Sequence, residues 1–165
     1  MKKTALLVML LTAVILGACV KAPELPPTPA ITVSLPVYSE TTEEIWTAKD
    51  YAGKPMLVAV MATWCPWCKR SLPALDATSA AYGDQVEVVG IFIDEDPELV
   101  KKVIADHGMK TKALYKGRQA AEELGASGFP HIVLFDKKHR VVRSWSGYSD
   151  TLADQYKQEI DKLLK

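Results

Sequence analysis

Two of the three cysteines of this 165-residue chain stand three positions apart, as Cys65-Pro66-Trp67-Cys68, directly after the apolar run Met56 to Ala62. A buried strand ending there and a helix beginning at Cys65 would set both sulfurs on one face of the first helical turn. They would then be close enough to close a disulfide without moving backbone. The unpaired N–H groups and the dipole at a helix N-terminus favour a thiolate at Cys65, which makes it the nucleophile of a thiol–disulfide exchange, with Cys68 resolving. Pro66 is tolerated in a first turn, whereas Pro73 is expected to kink the helix. Trp67 adds apolar surface without charge; it can shield the site or meet a partner, but it cannot stabilise a thiolate as a protonated His would.

Other uses of a C-x-x-C ask for residues that this chain lacks. Haem attachment needs His after the second cysteine, where Lys69 stands, and the Pro-x-x-x-Thr-x-x-Cys of a peroxidatic site is missing. A structural zinc site needs two more ligands; the remaining cysteine, Cys19, lies far upstream, and His107, His131 and His139 lack metal-ligand spacing. No metal and no cofactor are therefore expected. A copper-handling module using the same sulfurs, and two inert buried thiols, stay open beside dithiol exchange.

The bulk composition narrows the class. Twenty Lys plus Arg balance 20 Asp plus Glu, and 48% of the residues are hydrophobic. That fits one globular domain, excludes general disorder and leaves no cationic block to grip a nucleic acid. Met1-Lys2-Lys3 precedes the apolar run Ala5 to Leu16, broken by Thr12 and followed by Gly17 and Ala18, which is the grammar of a secretory signal. At about twelve residues the run falls short of the roughly twenty of a spanning helix. Leu16-Gly17-Ala18-Cys19 resembles a bacterial lipobox, which implies a lipidated Cys19 and a membrane anchor. Val20 to Ala30 carries Pro23, Pro26, Pro27 and Pro29, a tether that would hold the domain roughly 30 Å from the bilayer at about 3.1 Å per residue. The expected division is residues 1–18 as signal peptide, 19–30 as lipidated cysteine and tether, and 31–165 as folded domain.

The elements that must position the cysteines follow from the pattern. Met56 to Ala62 and Val86 to Ile93 are continuous apolar runs suited to buried strands, and a helical stretch spans Lys69 to Tyr82. Asp96 and Pro97 open a second helix, with Leu99, Val100, Val103 and Ile104 as its apolar face and Gly108 as its stop. A short strand at Ala113 to Tyr115 and a helical turn at Arg118 to Leu124 come next. Ile132 to Phe135 and Val141 to Trp145 then flank a polar turn as an antiparallel hairpin. Leu152, Tyr156, Ile160, Leu163 and Leu164 give a last helix its apolar face, with Asp150 as the expected cap.

The segment Ala62-Thr63-Trp64-Cys65-Pro66-Trp67-Cys68, with Pro73 after it, Gly53-Lys54-Pro55 before the first run and Gly128-Phe129-Pro130 before a hydrophobic strand, resembles the thioredoxin superfamily. More narrowly it is similar to the TlpA/ResA/DsbE-like branch of membrane-tethered thiol:disulfide oxidoreductases, over about Val33 to the C-terminus. The resemblance implies an α/β thioredoxin-like fold, a mixed central sheet flanked by helices, with the extra strand-helix insertion of that branch around Val88 to Pro97. It implies Cys65–Cys68 as the redox disulfide, Pro130 as a cis-proline across from it, and Trp64, Pro66, Trp67 and Phe129 as the surface that meets substrate. The implied function is reduction of protein disulfides in the bacterial envelope, in cytochrome c maturation or generally; an oxidant or isomerase would use the same cysteines. The implied partners are disulfide-bearing envelope proteins and a transmembrane dithiol donor of the DsbD/CcdA kind.

Two positions depart from the family. Ala59 stands where thioredoxins carry a buried Asp, and Ser71 where many relatives carry Glu. Cys68 would then lose its proton to water, a substrate group or Lys69. His131 is a conceivable substitute base, otherwise expected as an exposed or capped strand residue.

Overall fold

The computed structural model describes residues 31–165. The expected signal peptide (residues 1–18) and the expected lipidated Cys19 and tether (19–30) lie outside the described residues. A short antiparallel hairpin, β1 (Ser34–Pro36) and β2 (Ile45–Thr47), leads into β3 (Met56–Met61), α1 (Pro66–Tyr82), β4 (Glu87–Phe92), α2 (Pro97–His107), β5 (Lys112–Leu114), α3 (Arg118–Glu123), β6 (His131–Phe135), β7 (Val141–Ser146) and α4 (Leu152–Leu163). The main sheet has the order β5-β4-β3-β6-β7. Strands β3, β4 and β5 are parallel, and β6 and β7 are antiparallel to their neighbours. This is the thioredoxin-like mixed sheet that the resemblance implies, with α2 and β5 following the segment at which it places an added strand and helix.

Every residue of β3 and β4 is buried, which is why both read as unbroken apolar runs and not as alternating ones. The boundaries follow local chemistry closely. Asp96 caps α2 by accepting the Glu98 N–H at 2.9 Å, Pro97 opens it, and Gly108 ends it in the left-handed region at φ 65°. Helix α1 continues through Pro73, which faces solvent.

Two expectations are corrected. Leu99 is 45% exposed, so the buried face of α2 rests on Val100 and Val103. Asp150 does not cap α4: Thr151 holds that position without a side-chain hydrogen bond, and the Asp150 carboxylate accepts the Tyr148 hydroxyl at 2.6 Å instead.

At the end of the sheet away from the cysteines, Glu87 is buried and accepts from Trp46 Nε1 (3.2 Å) and Lys112 Nζ (3.1 Å), while Lys112 also donates to the Tyr51 hydroxyl at 2.7 Å. Burial alone would pull Lys112 down, but these hydrogen bonds outweigh it and hold the ammonium above the usual lysine range. The network ties the β2 hairpin to the sheet.

Gly117 lies where the chain crosses the end of β4. A Cβ there would stand 2.2 Å from Ile91 Cγ2 and 2.9 Å from Phe92 O. Gly117→Ala is therefore expected to cost about 1–3 kcal/mol through overpacking, read as a lower urea midpoint. Gly108→Ala, which meets open space and only backbone strain, is expected to cost about 1–2 kcal/mol. A neutral Gly117→Ala would contradict the close approach.

Candidate active site

The strand-to-helix junction builds the site. After β3 the chain turns through Ala62, whose carbonyl accepts the Cys65 N–H at 3.1 Å, and Cys65 becomes the N-cap of α1. Its Sγ accepts the Cys68 N–H at 3.2 Å, taking the capping role usually filled by a side-chain oxygen. Pro66 occupies the first turn, where its missing N–H costs nothing. Cys65 and Cys68 are free thiols, 4% and 1% exposed.

Phe129 closes the far side of the nucleophile. The Cys65 thiol points at the Phe129 carbonyl oxygen at 3.6 Å, and the Phe129-Pro130 peptide bond is cis, as the resemblance implied. Pro130 is buried and its carbonyl accepts the Gly147 N–H at 2.8 Å. Around the sulfurs lies an aromatic rim. Trp64 is 65% exposed and meets Phe129 edge-on at 6.2 Å; Trp67 is 52% exposed and stacks on Tyr148 at 6.0 Å. The Arg70 guanidinium sits 4.9 Å from the Trp67 ring centroid. All of the site residues expected within the described chain thus gather at the C-terminal end of β3.

A residue that sequence reasoning missed holds the junction in place. Asp94, just past β4, accepts the Thr63 N–H at 2.9 Å and the Thr63 hydroxyl at 2.8 Å. Hydrogen bonds to a charged acceptor are worth about 1.5–3 kcal/mol each. Nothing in the local sequence marks Asp94, because its partner is 31 residues away and is reached only through the parallel β3–β4 pairing. Tyr148, which stacks on Trp67 from far along the chain, was missed because of the same distance in sequence, whereas Arg70 lies one turn from Trp67 on α1, where i, i+3 spacing is the signal that could have found it.

Proton handling at Cys68 is set by burial. Desolvation pushes the Cys68 thiol well above its ordinary range, and the hydrogen bond with Cys65 raises it further. Ala59 is fully buried in β3. Ser71 Oγ donates to the Cys68 carbonyl at 2.7 Å, so its hydroxyl serves the backbone of α1. Of the two expected states for His131, an exposed or a capped strand residue, the structure shows a capped and buried one, enclosed by the pairing of β6 between β3 and β7. Its Nδ1 lies 3.2 Å from Ser146 Oγ, and burial holds its imidazole below the ordinary histidine range. Among the described residues no three His, Cys, Asp or Glu side chains come together in a way that could hold a metal ion.

Comparison with known proteins agrees with this geometry. The Redoxin family model matches residues 27–161. The thiol-disulfide oxidoreductase ResA of Bacillus anthracis is 28% identical over 119 residues, which cover 71% of this chain and 65% of ResA. The thioredoxin of Rhodospirillum rubrum is 37% identical over 86 residues, 52% of this chain and 80% of that protein. Among solved structures, a protein assigned as the thiol:disulfide interchange protein DsbE from Chlorobium tepidum superposes with a TM-score of 0.72 at 21% identity, covering 84% of this chain and 96% of that one. The chain thus spans just under two thirds of the length of the ResA relatives it matches. With the family pattern running across both cysteines and the sheet beneath them, the chain belongs to the Redoxin family and is similar to ResA, to thioredoxin and, in fold, to DsbE.

Proposed function

We propose that this protein is a thiol:disulfide oxidoreductase that reduces disulfides of envelope proteins through Cys65 and Cys68. The observation that carries this reading is the pair of free thiols at the start of α1, with the Cys65 sulfur bound by the Cys68 N–H at 3.2 Å and bordered by the exposed rings of Trp64 and Trp67. The Cys65 thiolate attacks one sulfur of a client disulfide, the other client sulfur leaves as a thiolate, and a Cys65–client disulfide forms. Cys68 then gives up its proton to water or a client group and attacks the Cys65 sulfur. The client leaves fully reduced, the Cys65–Cys68 disulfide forms, and two electrons have passed from enzyme to client. Trp64, Pro66, Trp67 and the Phe129 backbone are the surface against which the client lies.

The residues between the cysteines support the reducing direction. Strong oxidants of this chemistry owe their potential to a stabilised reduced form, and Pro66 and Trp67 bring no charge to stabilise one. A reductant working in an oxidising compartment must itself be recharged, so a membrane dithiol donor of the DsbD/CcdA kind is the natural partner. The N-terminal signal and lipidated Cys19 read from the sequence would hold the domain on the periplasmic or extracytoplasmic side of a membrane.

The reduction potential of the full chain in detergent, equilibrated against dithiothreitol or glutathione and read through Trp64 and Trp67 fluorescence, tests the direction. A value near about −270 mV or below is expected. A value near about −120 mV would make the protein an oxidant and overturn the reading. Cys68→Ser is expected to accumulate covalent Cys65–client species on non-reducing gels, and an absence of trapped species would argue against turnover through Cys65.

The pH dependence follows from the raised Cys68 thiol. A thiol whose proton is held above the assay range gains thiolate as pH rises, so release of the client from the mixed disulfide should accelerate by up to about tenfold per pH unit across about pH 6 to 8. A flat stopped-flow profile over that range would show that burial does not control the step.

A further inference from the structure

Of the five large apolar side chains left exposed among the described residues, three, Trp64, Trp67 and Leu99, belong to the elements that meet at the cysteines. Trp64 and Leu99 share a groove of about 300 Å³ between the start of α1 and the outer face of α2, whose lining also includes the buried Val103. That volume is at the lower end of binding pockets generally and admits one large side chain. Trp64, one of its walls, is covalently next to the nucleophile. Its rim is cationic. Lys69 and Lys102 both line it; Asp106 pairs with Lys102 at 3.1 Å, and no carboxylate of the described residues lies within ion-pair reach of Lys69.

An exposed leucine beside an exposed tryptophan leaves apolar surface in water that a bound segment would cover. The apolar walls suit an aliphatic or aromatic side chain. The surplus cation suits a carboxylate close to it, which selects against a basic neighbour.

We propose that this groove is a subsite for the client: it takes a large apolar side chain flanking the client's reactive cysteine, with an acidic residue next to it on the Lys69 side. The proposal rests on the exchange reading above and adds a substrate class to it. Discrimination arises before chemistry, because docking in the groove brings the client sulfur to Cys65. The reaction itself is unchanged: the Cys65 thiolate takes the client sulfur, and the displaced thiolate carries away the bonding electron pair.

The test uses the full chain in detergent, pre-reduced and freed of reductant, in single turnover. The probes are short peptides whose one cysteine is disulfide-linked to thionitrobenzoate. In the first, leucine and then glutamate flank the cysteine on both sides; in the second, serine replaces leucine; in the third, lysine replaces glutamate. The second-order rate constant for thionitrobenzoate release is expected to be about tenfold or more higher for the first peptide than for the second. It is expected to be about threefold higher than for the third. Leu99→Ser should collapse the leucine preference, and Lys69→Glu should reverse the glutamate preference. Leu99 is exposed and Lys69 half-buried, and the two variants report separately. Equal rates for all peptides, or preferences that survive in both variants, would overturn the subsite while leaving the exchange reading intact. No release from any peptide would overturn the exchange reading and the subsite with it.

Discussion

The site depends on the parallel pairing of two fully buried strands. Because β3 and β4 run side by side in the same direction, their C-terminal ends emerge together. The Met61 carbonyl takes the Ile93 N–H at 2.9 Å, and one step further Asp94 binds Thr63 twice. This clamps the turn that launches α1, and the position of Cys65 follows from the turn. A one-residue slip of either strand would turn every buried side chain to the opposite face, so the core that enforces the register also enforces the placement of the sulfur.

The same burial sets the chemistry of the second cysteine. Hydrogen bonds hold the pair together: a backbone N–H at the Cys65 sulfur, a carbonyl 3.6 Å from it, and a serine hydroxyl returned to the Cys68 carbonyl. No carboxylate stands at position 59 or 71. Burial therefore favours the neutral thiol at Cys68, which costs little in an apolar environment, and opposes its deprotonation. His131, beside Pro130, is occupied by Ser146 and is itself buried.

The rim around the sulfurs combines exposed apolar area with definite geometry. Trp67 is bordered by Tyr148 and Arg70, and Tyr148 is fixed in turn by Asp150. Such contacts are individually worth about 0.5–1.5 kcal/mol. Together they hold a large ring in an orientation that an isolated surface tryptophan would not keep. A partner meeting a preset wall loses less rotamer freedom on docking.

The redox pair, its place between a strand and a helix, and the identities of the buried strands were legible in the sequence. They rest on local spacing and on unbroken apolar runs, and neither needs a distant partner to be read. Asp150 misled because a carboxylate two residues before a helix has two local options, and here the Tyr148 hydroxyl captured it. Leu99 misled because helical periodicity assigns a face and not a neighbour: one position along the helix, Val100 is fully buried. Asp94 on Thr63, Tyr148 on Trp67, and the groove between Trp64 and Leu99 were decided by tertiary structure alone. Each joins side chains from separate elements, and only the stacking of those elements on a common sheet brings them within reach.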